Sequence, residues 1–197
     1  MEARMGWTAS FIGVKGVERT RVLEVLGVAE TGVVVEPYDA DLAWGETAQR
    51  WLILASKDYG FASPARLAEL SVGGEAVSCQ VEEHVMASGA RGFRDGVEVW
   101  SIEYDCEKSR DVDASGALPE AFAGVHEKAR QNQAGEEENV DYIWDVPADV
   151  FAALTGYRYD FDTSVELTEL RLPGTVKAET ARGGGLASVL AKLFGKK

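Results

Sequence analysis

Residues 76–104, AVSCQVEEHVMASGARGFRDGVEVWSIEY, constrain the fold of this chain more than any other stretch. Val77, Cys79 and Val81 alternate with Ser78, Gln80 and Glu82. Further on, Trp100, Ile102 and Tyr104 alternate with Ser101 and Glu103. Alternation at period two marks a strand buried on one side, so both arms call for a sheet with an apolar face. Between the arms, 88–96 carries Gly89, Gly92 and Asp95-Gly96. It reads as a long Gly-rich hairpin loop, because Asp-Gly tolerates the positive backbone angles such turns need. The tip of that loop would hold Arg91, Phe93 and Arg94. These three make a candidate contact patch, although an aromatic in such a loop is expected to fold back onto its own sheet.

A second constraint is 51–56, WLILAS, whose unbroken apolar run predicts a central strand covered on both faces. Strands are also predicted at 7–14 and 31–36. A helix is predicted at 17–26, stopped by Gly27. Ser63-Pro64 opens another helix, with Ser as N-cap and Pro at the first helical position. The stretch 38–49 is polar, yet Leu42 and Trp44 require a surface to lie on. The first six elements match the order of a ferredoxin-like split βαβ unit, and one strand is added. The expected fold is therefore α+β, a mainly antiparallel sheet with helices on one face over 1–105.

Residues 106–176 read as a helical extension packed on the same core. It comprises a charged connector at 106–118, helices at 119–131 and 147–154, an extended piece at 157–161 and a last strand at 165–172. Residues 177–197 read as a flexible linker and a tail. In the tail, Leu186, Val189, Leu190, Leu193 and Phe194 recur at helical spacing on one stripe. From 182 onward the only charged residues are Arg182, Lys192, Lys196 and Lys197. The remaining 16 Lys and Arg therefore face all 33 acidic residues, a body of −17 within a chain of −13. A basic amphipathic segment of this kind suits docking on a protein, in cis or in trans, and is too short to anchor in a membrane alone.

An anionic surface repels phosphate backbones and suits a basic protein partner. Cys79 and Cys106 do not form a disulfide framework; two free thiols point to a reducing, cytoplasmic compartment of a bacterial-type cell. No stretch approaches the length of a transmembrane helix. Chemistry is sparse. Glu82, Glu83 and His84 are the weak catalytic candidates, since Glu82 and His84 share a strand face where a carboxylate and an imidazole can converge. A zinc site wants three or four ligands, so the expectation is a surface Glu–His pair and no metal or cofactor. His126 reads as solvated. Tyr142, Trp144, Tyr157 and Tyr159 surround Asp141, Asp145 and Asp160. They are a candidate binding groove, or else the glue that holds the C-terminal helices to the sheet.

The leading expectation is a non-enzymatic binding protein with an acidic surface. The alternatives are a small hydrolase-like or metal-assisted enzyme using Glu82, Glu83 and His84, and a structural protein that oligomerises through its tail.

Overall fold

Among the described residues nine strands form one sheet in the order β2-β9-β3-β4-β1-β5-β6-β7-β8, with every neighbouring pair antiparallel. This is a computed structural model, and it describes residues 7–36, 38–135, 140–160 and 164–173. The chain runs β1 (Thr8–Lys15), α1 (Arg19–Leu26), β2 (Ala29–Val35), β3 (Leu42–Glu46) and β4 (Leu52–Ser56). A 3₁₀ turn (Tyr59–Ala62), α2 (Pro64–Leu70), β5 (Glu75–Glu82), β6 (Ala87–Arg94) and β7 (Val97–Asp105) follow. Last come β8 (Asp113–Gly116), α3 (Ala121–Gly135), α4 (Val146–Thr155) and β9 (Leu167–Arg171). β1 lies between β4 and β5, antiparallel to both, and β3 beyond β4 runs parallel to β1, so these two parallel strands are separated by an antiparallel one.

Alternation along each strand builds two apolar layers, with α1 and α2 of 1–105 on one face of the sheet and the helices of the extension on the other. Ile12, Val14, Leu52 and Leu54 pack with Val22 of α1 and with Leu67 and Leu70 of α2. Phe11, Ile53, Val77, Cys79 and Ile102 point to the other side and pack with Val150 and Phe151 of α4. β4 is buried along its whole length, as its apolar run demands. Each fully buried Ile or Leu there contributes roughly 1.5–3 kcal/mol relative to exposure. The two helix pairs reach opposite faces because β1–β5 have apolar residues on both.

The stretch 76–104 is three strands, not two arms and a loop. β5 turns at 83–86 into β6, and the two-residue Asp95-Gly96 turn, with φ of 47° and 82°, leads into β7. Both positive angles suit that hairpin. The glycines of β6 reflect packing. Gly92 sits directly across from Trp100, and a Cβ on Gly92 would overlap the indole, lying 2.8 Å from Cδ1 and closer still to Nε1 and Cε2. The ring occupies the space that a side chain would take. The predicted tip is accordingly dismantled: Phe93 is buried beside α2, Arg91 lies within the sheet, and Arg94 is exposed near Glu75 at 3.6 Å.

The unassigned stretch 38–49 contains β3, whose Trp44 is 2% exposed and donates its indole N–H to Glu30 at 2.6 Å. The connector 106–118 contains the short edge strand β8. Helices α3 and α4 match their predicted positions, and Gly156 closes α4 in the left-handed conformation at φ 75°. Residues 157–160 are not a strand. The predicted last strand is β9, inserted between β2 and β3. The predicted linker and tail, 177–197, lie outside the described residues. Among the described residues no helix is long and apolar enough to cross a membrane.

Cys79 is fully buried and burial pushes its thiol up to about 12, whereas Cys106 is exposed. A colorimetric thiol reagent should therefore titrate one thiol in the native protein and a second only in denaturant. Rapid reaction of both thiols in buffer would contradict this packing.

Candidate functional site

Part of the sheet surface over β5–β8 lies open as a depression. On the face that carries α1 and α2, cover ends at the 3₁₀ turn, which is pinned by Ser10 Oγ donating to the Asp58 carbonyl at 2.7 Å and by Gln80 Nε2 donating to the Tyr59 carbonyl at 2.8 Å. Beyond β5 the same face continues across β6, β7 and β8. There alternation leaves Gly89 and Arg91, then Ser101 and Glu103, then Asp113 and Ser115 pointing outward. These polar positions are the partners of the inward residues Ala90, Trp100, Ile102 and Ala114 on the same strands.

Of these, Gly89, Arg91, Glu103 and Asp113, together with Tyr59, Asp105, Lys108 and Asp111, line a depression of about 510 Å³. Its floor is thin because Gly89 has no side chain; a Cβ there would meet only the Ile102 carbonyl oxygen, at 3.7 Å. Arg91 crosses the floor, donating to Glu98 at 3.1 Å and also to Glu103. Ser101 and Ser115 hydroxyls are 2.9 Å apart. Carboxylates outnumber cations: Glu103, Asp105, Asp111 and Asp113 line it against Arg91 and Lys108. The field is felt at the wall. Burial raises the pKa of Tyr59, and the Glu103 and Glu82 carboxylates push it the same way against the opposing charge of Arg91. Chemically the depression offers hydrogen-bond acceptors, hydroxyls and one aromatic face, a set that suits a cationic ligand.

The catalytic candidates do not converge. His84 lies in the β5–β6 turn with its side chain 52% exposed, 2.5 Å from Glu82. Glu83 instead accepts the Trp7 backbone N–H at 3.3 Å. Cys79 points to the opposite face of the sheet, into the α4 layer. His126 is corrected: its side chain is 19% exposed, stacked on Phe122 and 2.5 Å from Asp111. Among the described residues no group of three His, Cys, Asp or Glu side chains is placed to hold a metal ion.

The aromatic candidates are divided between separate tasks. Tyr157 is fully buried, and Tyr159 stacks on Trp7 and Phe11 with centroids 5.1 and 5.3 Å apart. Tyr38 joins them and donates its hydroxyl to the Tyr159 carbonyl at 2.9 Å. Asp141 accepts the Tyr104 hydroxyl at 2.6 Å and the backbone N–H groups of Ile143 and Trp144, and Ser88 donates to the Trp144 carbonyl. Tyr142 faces a smaller recess between α3 and α4 with Asp145 and Asp149. These contacts bind the C-terminal segment to the sheet and leave no shared aromatic groove among the four.

The charged centre of that segment is Arg158, whose side chain is 13% exposed. Its guanidinium reaches Asp145 and Asp160 at 2.7 Å each, and also Asp149, while lying over the Tyr159 ring at 5.4 Å. Sequence spacing placed Asp145 and Asp160 near the aromatics but not the arginine that gathers them. The open depression was missed too; its signal was the run of polar alternates Gln80, Ser101 and Glu103.

Comparison of the chain with protein-family models, with curated proteins and with solved structures returned no match in any of the three.

Proposed function

We propose that this protein binds a basic segment of another protein in the carboxylate-lined depression over β5–β8. The supporting observation is the uncovered face itself. Antiparallel sheets commonly pack one face and leave the other to solvent, and here part of the face that carries α1 and α2 is left as a polar concavity. Lysine or arginine side chains would displace Arg91 and Lys108 as counter-ions to Glu103 and Asp105, with Asp113 on the same lining. Tyr59 supplies a ring face for a guanidinium. The body's negative charge would steer such a segment inward. Two free thiols suit a reducing compartment, and we place the protein in the cytoplasm.

The test uses a fluorescent nonapeptide of alternating arginine and serine, with the full chain and two charge-matched double variants. Glu103→Gln with Asp113→Asn should weaken binding roughly 10-fold, the effect of losing about 1.4 kcal/mol of close charge pairing. Glu24→Gln with Glu69→Gln, on α1 and α2, should change it less than about 2-fold. Affinity should fall as salt rises from about 50 to about 300 mM. Equal losses in both double variants would reduce the attraction to net charge alone and end the proposal. So would binding that ignores salt.

A further inference from the structure

A cavity of about 250 Å³ opens on the α4 side of the sheet, the face opposite the depression over β5–β8. Its base is one cross-strand row, in which Val77 of β5, Gly92 of β6 and Trp100 of β7 lie directly opposite one another. Gly92 has no side chain, and the Trp100 indole takes up the space above it. Trp51, just ahead of β4, and Leu154, in the last turn of α4, belong to the same lining. The remaining wall is the chain that leaves β8, held to β7 by the Ala117 N–H donating to the Val99 carbonyl at 2.9 Å. At Val99 the register slips: Gly92 pairs with Trp100 and Phe93 with Glu98, so Val99 is the extra residue of a bulge beside the cavity.

Two residues along the same strands, roughly 7 Å away, Lys15 of β1, Glu75 of β5 and Arg94 of β6 form a second cross-strand row. Alternation puts this row on the same face as Val77 and Gly92. Glu75 and Arg94 are part of the lining, and Lys15 Nζ lies over the Trp51 ring, 5.3 Å from its centroid. Arg94 stands 3.6 Å from Glu75, longer than a hydrogen bond, and its side chain is 70% exposed. Two cations thus flank one carboxylate beside an apolar opening, on a chain whose net charge is −13.

We propose that this cavity binds a small molecule with an apolar, ring-sized body and a single carboxylate, the body against Trp51, Trp100 and Leu154 and the carboxylate between Lys15 and Arg94. Small-molecule sites have this make-up, mostly apolar and aromatic walls with a few polar groups that fix orientation. At about 30 Å³ per water the volume equals about eight waters, or a ligand of roughly ten non-hydrogen atoms. Arg94 offers a carboxylate two parallel N–H donors that Glu75, at its present distance, does not engage. Charges more than about 8 Å away are largely screened at physiological salt, so the row at the mouth outweighs the distant excess of carboxylates.

The experiment is calorimetric titration of the full chain with 3-phenylpropionate, with tryptophan emission as a second readout. A Kd of about 0.1–1 mM is expected, with a change in emission because Trp51 and Trp100 both line the cavity. Acetate carries the charge without the ring, and 3-phenylpropylamine the ring with the opposite charge; each should bind at least about 10-fold more weakly. Lys15→Gln with Arg94→Gln leaves the buried core intact. It should weaken 3-phenylpropionate about 10-fold and the neutral 3-phenylpropanol less than about 2-fold. Arg21→Gln with Arg130→Gln, on α1 and α3, should change 3-phenylpropionate less than about 2-fold. Acetate binding as well as 3-phenylpropionate would reduce the site to surface ion pairing and overturn the proposal. An amine that binds as tightly as the acid, equal losses in the two double variants, or neither heat nor an emission change up to about 10 mM ligand would each overturn it too. None of these outcomes depends on peptide binding over β5–β8, so the two proposals fail separately.

Discussion

Replacing Gly92 with alanine is expected to destabilise the protein by about 3 kcal/mol, near the upper end for overpacking a core. The added methyl would land inside the indole of Trp100, directly opposite on β7. Neither partner can retreat cheaply. Gly92 is in the middle of a strand paired on both sides, and Trp100 is 7% exposed in the layer packed with α4. If this steric account is right, the cost depends on the indole. Trp100→Leu alone should also destabilise, by about 2 kcal/mol, through lost burial. The double variant should then be less damaged than the sum of the singles, by at least about 1 kcal/mol. Urea unfolding followed by circular dichroism measures all four corners of that cycle. Strict additivity would mean that Gly92 is needed for another reason.

The second large effect is expected at Arg158. Exchange for methionine keeps much of the aliphatic stem and removes the charge that Asp145, Asp149 and Asp160 share. Breaking a fully buried pair costs about 3–5 kcal/mol. Here the carboxylate side chains are 36, 49 and 33% exposed, so solvent screens part of the loss and about 2–3 kcal/mol near neutral pH is the expected value. The variant should carry a pH signature. Burial raises Asp145 and Asp149 above the ordinary aspartate range even with Arg158 beside them. A carboxyl raised on folding binds more protons in the native than in the unfolded state. Its contribution is present below the unfolded pKa and is lost as pH climbs through the folded one. Without Arg158 the two carboxyls rise further, so this loss extends to higher pH. Arg158→Met should therefore lie closest to the parent protein near pH 4 and fall behind as pH increases toward 7. A stability gap between the two proteins that is the same at pH 4 and pH 7 would show that the aspartates are not the groups left uncompensated.

Both effects arise from contacts far apart in the reasoning a linear chain permits, and they mark where sequence and structure part. Period-two alternation at 76–82 and 99–104 located β5 and β7, and the apolar run at 51–56 located a strand covered on both faces. Ser63-Pro64 and Gly156 mark helix ends through local hydrogen bonding and backbone angle alone, so they were legible too. β6 was not. Glycine is a turn signal when only neighbours along the chain are considered, and the reason for Gly92 lies eight residues away across the ladder. β8 is four residues at an edge with little to bury, so it has almost no apolar pattern. Polar alternates at Gln80, Ser101 and Glu103 announced a hydrophilic sheet face but carried no information on what would lie over it.

By itself, then, the sequence determined the local matters: which segments extend or coil, the sign of the surface, the two unpaired cysteines, and the basic apolar stripe of 186–194. Tertiary structure alone decided that α1 and α2 cover one side of the sheet while α3 and α4 cover the other, that β9 enters between β2 and β3, and that a carboxylate-lined depression over β5–β8 stays open. The division has a physical cause. Periodicity and end signals act over a few residues, where each side chain's burial preference is nearly independent of the rest. Layering and strand order follow from which apolar faces meet and at what close-packed fit, a property of pairs of segments that no single segment contains.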